Sequence, residues 1–164
     1  GGKDPADPQY AYQGWFPPVA RVKVIGDHAL VRVGPLAIQA LPTPGHTPGS
    51  TSWTWTSCEG PRCLRLVDAD SLSLLAAGSY RFTAPAHPER LADYRHGLVE
   101  LAALPCDILL TPHPEASDFW ARMAARAGGR RDALRDSAAC RNYARQAEQG
   151  MQQHHIAAER EPAG

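Results

Sequence analysis

Short apolar segments dominate the first half of the chain, and Gly or Pro residues interrupt them. Trp53 and Trp55 lie in a stretch of strict alternation, which is typical of a half-buried strand because successive side chains point to opposite faces. The other segments are short apolar runs bounded by turn-forming residues. The pattern predicts strands at 22–25, 30–33, 36–41, 50–56 and 63–67.

After residue 67 the spacing of the apolar residues changes to the three-four rhythm of a helix. A helix is predicted behind Pro88, a residue type that suits the first helical turn. The continuous apolar run 108–110 predicts one more strand. The apolar stripe of the predicted helix consists of Leu91, Tyr94, Leu98 and Leu101.

Two helices are predicted in the last third of the chain. Ser117 is expected to cap the first, which carries Phe119 and Met123 and ends at the glycine pair 128–129. The second has an apolar face from 133 to 151. This order of elements indicates an α/β or α+β protein with mostly antiparallel pairing, in which one face of the sheet lacks a covering layer.

The chain is short and has no net charge. Its 164 residues suit one domain, and 17 Lys and Arg balance 17 Asp and Glu. A nucleic-acid-binding protein has a basic face, and a membrane span needs about 18 apolar residues in a row, so neither partner is indicated. No signal peptide is recognised. The Pro-rich segment 1–20 is expected to be an irregular arm, and the polar tail 154–164 is expected to fray.

Two of the seven histidines lie in Pro-rich loops that follow apolar strands. Ligand-binding groups gather in loops beyond strand ends, and imidazole is a common metal ligand. His46 and His113 are therefore candidate metal ligands, with ordinary hydrogen bonding to backbone carbonyls as the alternative. The other histidines are expected to have no special role; they are His28, His87, His96, His154 and His155.

The four cysteines leave two interpretations open. Cys58 and Cys63 flank a turn-rich tetrapeptide and could join the arms of a hairpin, whereas Cys106 precedes a predicted strand and Cys140 lies in a predicted helix. Two disulfides would indicate an oxidising compartment, and four reduced thiols are the alternative. No Cys-x-x-Cys pair is present, so the sequence indicates neither a zinc ribbon nor a thioredoxin-type site.

Four segments, taken together, resemble the third subclass of the class B β-lactamases, which are zinc hydrolases. Residues 45–50 read GHTPGS, as in hydrolases of the metallo-β-lactamase fold, and TSWTW at 51–55 continues the resemblance. ADSLS at 69–73 and LPCDILLTPHP at 104–114 narrow it to the subclass. The resemblance covers about residues 4–151. It implies the C-terminal half of an αββα sandwich, an α/β fold.

The resemblance implies a role for each matching residue. His46 corresponds to the third histidine of the first zinc site, and His113 to the histidine of the second. Ser71 stands where other subclasses have a cysteine ligand, and Ser73 is a candidate for binding the substrate carboxylate; turn capping is the simpler interpretation of both serines. In the family, two Zn²⁺ ions per active site provide a hydroxide that attacks the lactam carbonyl, and the second zinc stabilises the departing nitrogen.

The same resemblance also has implications for the cysteines, the cellular location and the substrate. Cys106 and Cys140 match the characteristic disulfide of the subclass, and Cys58 and Cys63 resemble an extra disulfide of some members. A periplasmic or secreted location and a small-molecule β-lactam substrate are implied.

The His-x-His-x-Asp-His loop of the family, which supplies four zinc ligands, is missing from the chain. Residues 1–164 are therefore expected to be the C-terminal part of one domain, with Gly1-Gly2 at a break inside it. Such a piece should need its N-terminal half for activity and should be unstable or aggregate alone. Two alternatives stay open. One is a thioester or lactone hydrolase, in which an aspartate at the position of Asp70 bridges two metals; the other is a non-catalytic binding module.

Overall fold

The computed structural model describes residue 4, residues 6–10 and residues 19–160, the segment 154–160 by its backbone. In these residues, five strands form one sheet in sequence order. The first four pair antiparallel, and the last pairs in parallel with the fourth. The strands are β1 (Leu30–Val33), β2 (Leu36–Pro42), β3 (Thr51–Glu59), β4 (Arg62–Asp68) and β5 (Ile108–Leu110).

In the part of the chain that the structure describes, three helices accompany the sheet, which confirms the α/β architecture. Helix α1 (Arg90–Ala103) lies in the crossover from β4 to β5, the kind of connection that a parallel pair requires. A 3₁₀ helix (Pro114–Ser117) leads into α2 (Phe119–Ala127), and α3 (Ala139–Arg160) is the last element of the described part. Among the described residues, no helix combines the length and the apolar character needed to cross a bilayer.

The core lies between one face of the sheet, α1 and α3. Neighbouring strands contribute Leu41, Val67 and Leu109 to this core. Because side chains alternate along β3, the half-buried Trp53 and Trp55 point to the face opposite the buried Ser52 and Thr54. The helices contribute Tyr94, Leu98 and Leu101 from α1, and Cys140, Ala144 and Met151 from α3.

The strand predicted at 22–25 is wrong. The segment 21–26 carries no regular secondary structure, and Val22 and Val24 are 72% and 88% exposed. A strand is stabilised by its neighbours, and the apolar pattern alone does not supply one. Val19, Leu30 and Val33, nearby in the chain, are also more than half exposed. This part of the molecule therefore presents apolar side chains that nothing in the described residues covers.

Two helix boundaries differ from the prediction. Ser117 does not cap α2, because Pro114 starts a 3₁₀ helix that ends at Ser117 and leaves Asp118 to precede α2 with a positive φ of 50°. Helix α3 begins at Ala139 and not near 133, since Asp136 accepts a hydrogen bond from Ala138 N–H in a turn before it.

Of the tail at 154–164, which is predicted to fray, the backbone as far as Arg160 belongs to α3, and residues 161–164 lie outside the described part of the chain. The sequence from 151 to 160 contains neither Gly nor Pro, and Ala, Gln, Glu and Arg are good helix formers. Of the expected arm at 1–20, residues 6–10 form turns, while residues 1–3, 5 and 11–18 lie outside the described part of the chain.

Asp107, just before β5, joins two parts of the fold. Its carboxylate accepts hydrogen bonds from Arg65 N–H in β4 (2.9 Å) and from Arg135 Nε (3.2 Å). Its own N–H donates to Arg65 O (2.8 Å). The Arg65 N–H lowers the pKa of Asp107, and the hydrogen bond and charge of Arg135 lower it further.

Replacing Asp107 with Asn should reduce the free energy of unfolding by about 1 kcal/mol at neutral pH, a figure that allows for solvent screening of the ion pair. Because the folded-state pKa is depressed, the stabilisation is present above the unfolded value of 3.8 and is lost as pH falls through the folded value. Urea unfolding followed by circular dichroism should show the two proteins converging in acid. Asp132→Asn, at an exposed aspartate, is the control, and a gap that stays constant with pH would contradict the assignment.

Candidate functional site

One edge of the sheet gathers the loops that carry the predicted site residues. Ala40, Trp53, Asp68 and Leu110 lie side by side across β2 to β5. The end of β2, the start of β3 and the ends of β4 and β5 therefore meet at this edge. The loops 43–50, 69–73 and 111–113 leave from it, and they carry His46, Ser71, Ser73 and His113.

The His46 loop (residues 43–50) packs tightly on α1 through two glycines. Thr43 N–H donates to Ser50 O (3.0 Å) and closes the loop at its base. A Cβ added at Gly45 would lie 2.2 Å from Cδ2 of Tyr94, and one added at Gly97 would lie 3.0 Å from Cα of Thr43. The loop can approach the helix this closely only because neither position carries a side chain.

The imidazole of His46 is oriented by Ser73. Its Nδ1 lies 2.9 Å from Ser73 O and 3.0 Å from Ser73 Oγ, and Ser71 Oγ lies 3.1 Å from Ser73 Oγ. A carbonyl oxygen can only accept, so the first contact implies a proton on Nδ1. In the neutral ring this leaves the lone pair on Nε2, the arrangement in which a histidine binds a metal through Nε2.

A buried polar network joins the His46 loop to the serine loop (residues 69–73). Thr43 Oγ1 lies 2.8 Å from Ser52 Oγ, which accepts a hydrogen bond from Asp70 N–H (3.0 Å). Ser50 Oγ donates to Asp70 Oδ2, and Ser71 N–H donates to Asp70 Oδ1 (2.7 Å). Thr43, Ser50 and Ser52 are at most 4% exposed. Each of these buried groups has a partner, as the low dielectric of an interior requires.

Two tyrosines from the helices hold the serine loop from beneath. Tyr94 in α1 donates its hydroxyl hydrogen to Leu72 O (2.6 Å). Tyr143 in α3 accepts from Leu72 N–H and donates to Asp70 O, both at 3.4 Å. Burial raises the pKa of both tyrosines, so both hydroxyls stay protonated and able to donate.

Loss of hydration also raises the pKa of Asp68, and the nearby Asp70 carboxylate raises it further.

His113 lies apart from this network. It is exposed, and it directly precedes the 3₁₀ helix, where its carbonyl accepts a hydrogen bond from Thr111 Oγ1 (2.8 Å). The structure thus joins His46, Ser71 and Ser73 by hydrogen bonds and places His113 on a loop from the same sheet edge. Within the described residues, no group of three or more His, Cys, Asp or Glu side chains is placed to hold a metal ion.

Sequence reasoning missed the structural roles of Asp70, Tyr94 and Tyr143. The apolar spacing identifies Tyr94 only as a member of a stripe, although a buried tyrosine hydroxyl needs a hydrogen-bond partner and this need is a usable signal. Of the remaining histidines in the described part, His28 and His96 face Glu100 at 3.7 and 3.4 Å, and His87 stacks on Tyr80.

Both disulfides are formed in the structure. Cys58 pairs with Cys63 across the end of the β3–β4 hairpin, and Cys106 pairs with Cys140 between the start of β5 and the first turn of α3. These two bonds pair all four cysteines of the sequence. The pairing implied by the resemblance is confirmed, and the alternative of four reduced thiols is wrong.

Solved structures of metallo-β-lactamases are similar to this chain. The Rm3 metallo-β-lactamase is 42% identical, with a TM-score of 0.91 over 96% of this chain and 59% of that one. MEM-A1, a subclass B3 metallo-β-lactamase from a soil metagenome library, is 42% identical, with a TM-score of 0.87 over 95% and 60%. SMB-1 bound to 2-mercaptoethanesulfonate is 39% identical, with a TM-score of 0.88 over 96% and 60%.

The chain therefore spans about three fifths of the length of these structures. A scan against protein-family models gives no match. Identity near 40%, together with a TM-score near 0.9 over almost all of this chain, shows common ancestry and not fold alone. By fold and sequence, the chain belongs to the metallo-β-lactamases of subclass B3 and corresponds to the C-terminal part of their fold.

Proposed function

We propose that this chain forms the C-terminal part of one zinc-dependent domain that hydrolyses the amide bond of small-molecule β-lactams. The observation that carries the proposal is the orientation of His46, whose Nδ1 is engaged by Ser73 and whose Nε2 is left to bind a metal. His113 lies on a loop from the same sheet edge. Each histidine would give one ligand to a centre of two Zn²⁺ ions.

The described residues alone do not make up such a centre, because they hold no set of three ligands. When bound, Zn²⁺ supplies Lewis-acid polarisation and a water of lowered pKa. The contribution of this chain is to supply two imidazoles and to present the hydroxyl of Ser73, which the buried Ser71 Oγ contacts at 3.1 Å. Ser73 is exposed and hydrogen-bonded at the His46 ring, a position from which its hydroxyl can bind a substrate carboxylate.

An N-terminal half is needed to complete this site and to cover the apolar surface. Val22 and Val24 are largely exposed, and Val19, Leu30 and Val33 are also more than half exposed. Apolar side chains left exposed in this number are often covered by another part of a protein. We therefore expect the isolated chain to be inactive and prone to aggregate, so measurements of its stability are made on dilute protein. A periplasmic or secreted location is part of the proposal, and the two disulfides support it.

The environment of Asp70 favours a β-lactamase over a thioester or lactone hydrolase. A metal-bridging carboxylate must direct at least one oxygen at the metals. In this structure Asp70 Oδ2 accepts a hydrogen bond from Ser50 and Oδ1 accepts one from Ser71 N–H, so both oxygens are oriented toward groups of the protein's own loops.

Reconstitution with a related half tests the proposal. The N-terminal segment of the Rm3 metallo-β-lactamase that has no counterpart here is co-expressed with this chain, and zinc content and hydrolysis of a chromogenic cephalosporin are measured. We expect zinc and turnover only when both pieces are present, and loss of both with His46→Ala or His113→Ala. His96→Ala, at an exposed histidine, is the matched control. A folded complex that takes up no zinc and hydrolyses no lactam would refute the proposal.

A further inference from the structure

The His46 loop and the serine loop are hydrogen-bonded to each other at both ends. At one end Ser50 Oγ donates to the carboxylate of Asp70, and at the other His46 Nδ1 donates to Ser73 O. Two covalent segments, 46–50 and 70–73, connect these ends. His46, Ser50, Asp70 and Ser73 thus lie on a closed ring of covalent and hydrogen bonds. The orientation of the His46 imidazole depends on both of the hydrogen bonds in this ring.

We propose that Asp70 is a positioning residue for His46. Its carboxylate holds Ser50, the last residue of the His46 loop, and at the same time holds Ser71 N–H, the start of the turn that brings Ser73 O to the imidazole. One side chain therefore sets the distance between the two loops. Asp70 itself needs no contact with metal or substrate for this role.

The surroundings of Asp70 explain why a carboxylate is used. It accepts a hydroxyl hydrogen and an amide hydrogen, one on each oxygen, and asparagine offers only one oxygen for the two. Ser50 and Ser71 are 4% and 5% exposed, so water does not readily replace a lost partner. The backbone of Asp70 is held separately, by Ser52 Oγ at its N–H and by Tyr143 at its carbonyl. Loss of the Asp70 carboxylate should consequently break its hydrogen bonds to Ser50 and Ser71. The hydrogen bonds to the backbone of Asp70 should still hold the serine loop.

The first readout is the tautomer of His46 in metal-free protein, measured by two-bond ¹H–¹⁵N correlation with the signal assigned by His46→Gln. The unsubstituted chain should show the proton on Nδ1, and Asp70→Ala should show a mixture of both tautomers. Ser50→Ala removes the hydrogen bond between Ser50 and the Asp70 carboxylate with a smaller change of side chain, and it should shift the tautomer in the same direction. Thr54→Val, which removes a buried hydroxyl of β3 that donates to Leu66 O in β4, should leave the tautomer unchanged.

The second readout is zinc affinity in the complex with the Rm3 segment, by competition with a chromophoric chelator, and here the inference rests on the proposed function. Asp70→Ala should weaken binding about 10- to 100-fold, the usual loss when a group that orients a metal-bound histidine is removed. Ser50→Ala should weaken it in the same direction, and Thr54→Val should stay within about threefold of the unsubstituted complex.

The two failures are distinguishable. If the unsubstituted complex binds no zinc, the proposed function fails, and the tautomer, which is read without metal and on the chain alone if no complex forms, still decides the role of Asp70. If Asp70→Ala and Ser50→Ala both keep the Nδ1 proton, the role of Asp70 is overturned. Equal losses of zinc affinity in Asp70→Ala and Thr54→Val would also overturn it, because they would show general destabilisation.

Discussion

Gly45→Ala is expected to lower the free energy of unfolding by about 3 kcal/mol, near the upper end of what overpacking costs. The added methyl carbon would lie 2.2 Å from Cδ2 and 2.9 Å from Cε2 of Tyr94. The ring cannot give way easily, because Tyr94 is 1% exposed and its hydroxyl is bonded to Leu72 O. Relief of the clash must therefore move either the His46 loop or the helix beneath it.

Gly49→Ala is the matched control, since it lies in the same loop and its added carbon would meet nothing within 4 Å. It should change stability by no more than about 0.5 kcal/mol. Urea unfolding followed by circular dichroism measures both variants. The explanation fails if the two variants lose the same stability, because the loss would then come from a general intolerance of the loop to side chains and not from contact with Tyr94.

The parts of the site that sequence could predict are those that short motifs specify. His46 and His113 stand in rigid loops after apolar strands, and the structure places both loops at one sheet edge. The strands at 36–41 and 63–67 were predicted to within a residue or so at each end, because alternation and turn residues are local signals.

The remaining parts depend on which residues meet in space. Ser50 and Asp70 are 20 positions apart, and they meet only because β3 and β4 pair in one particular register. The segment 22–25 is the reverse case, a predicted strand that does not form. Its apolar pattern favours a strand, but the described residues offer it no pairing partner. Local pattern specifies the tendency of a segment, and pairing decides whether the tendency is realised.

Removing the disulfide between Cys106 and Cys140 is expected to cost about 4 kcal/mol in the double variant Cys106→Ala/Cys140→Ala. The two cysteines are 34 positions apart, and a cross-link restricts the unfolded chain more when the loop that it closes is longer. Cys58 and Cys63 are 5 positions apart, so the same relation gives about 2 kcal/mol for Cys58→Ala/Cys63→Ala, which serves as the matched control. Urea unfolding of both double variants measures the difference, and a larger loss in the hairpin variant would contradict the chain-entropy argument.

The loss should also reach the candidate site, because Cys140 lies in the first turn of α3 and Tyr143 follows one turn later. Tyr143 accepts a hydrogen bond from Leu72 N–H and donates to Asp70 O. Without the disulfide, Cys106 no longer holds the start of α3, and Tyr143 loses its fixed position beneath the serine loop. Amide hydrogen exchange at Leu72 should then become faster in Cys106→Ala/Cys140→Ala and stay unchanged in Cys58→Ala/Cys63→Ala. Unchanged exchange in both variants would show that the serine loop is held without help from the disulfide.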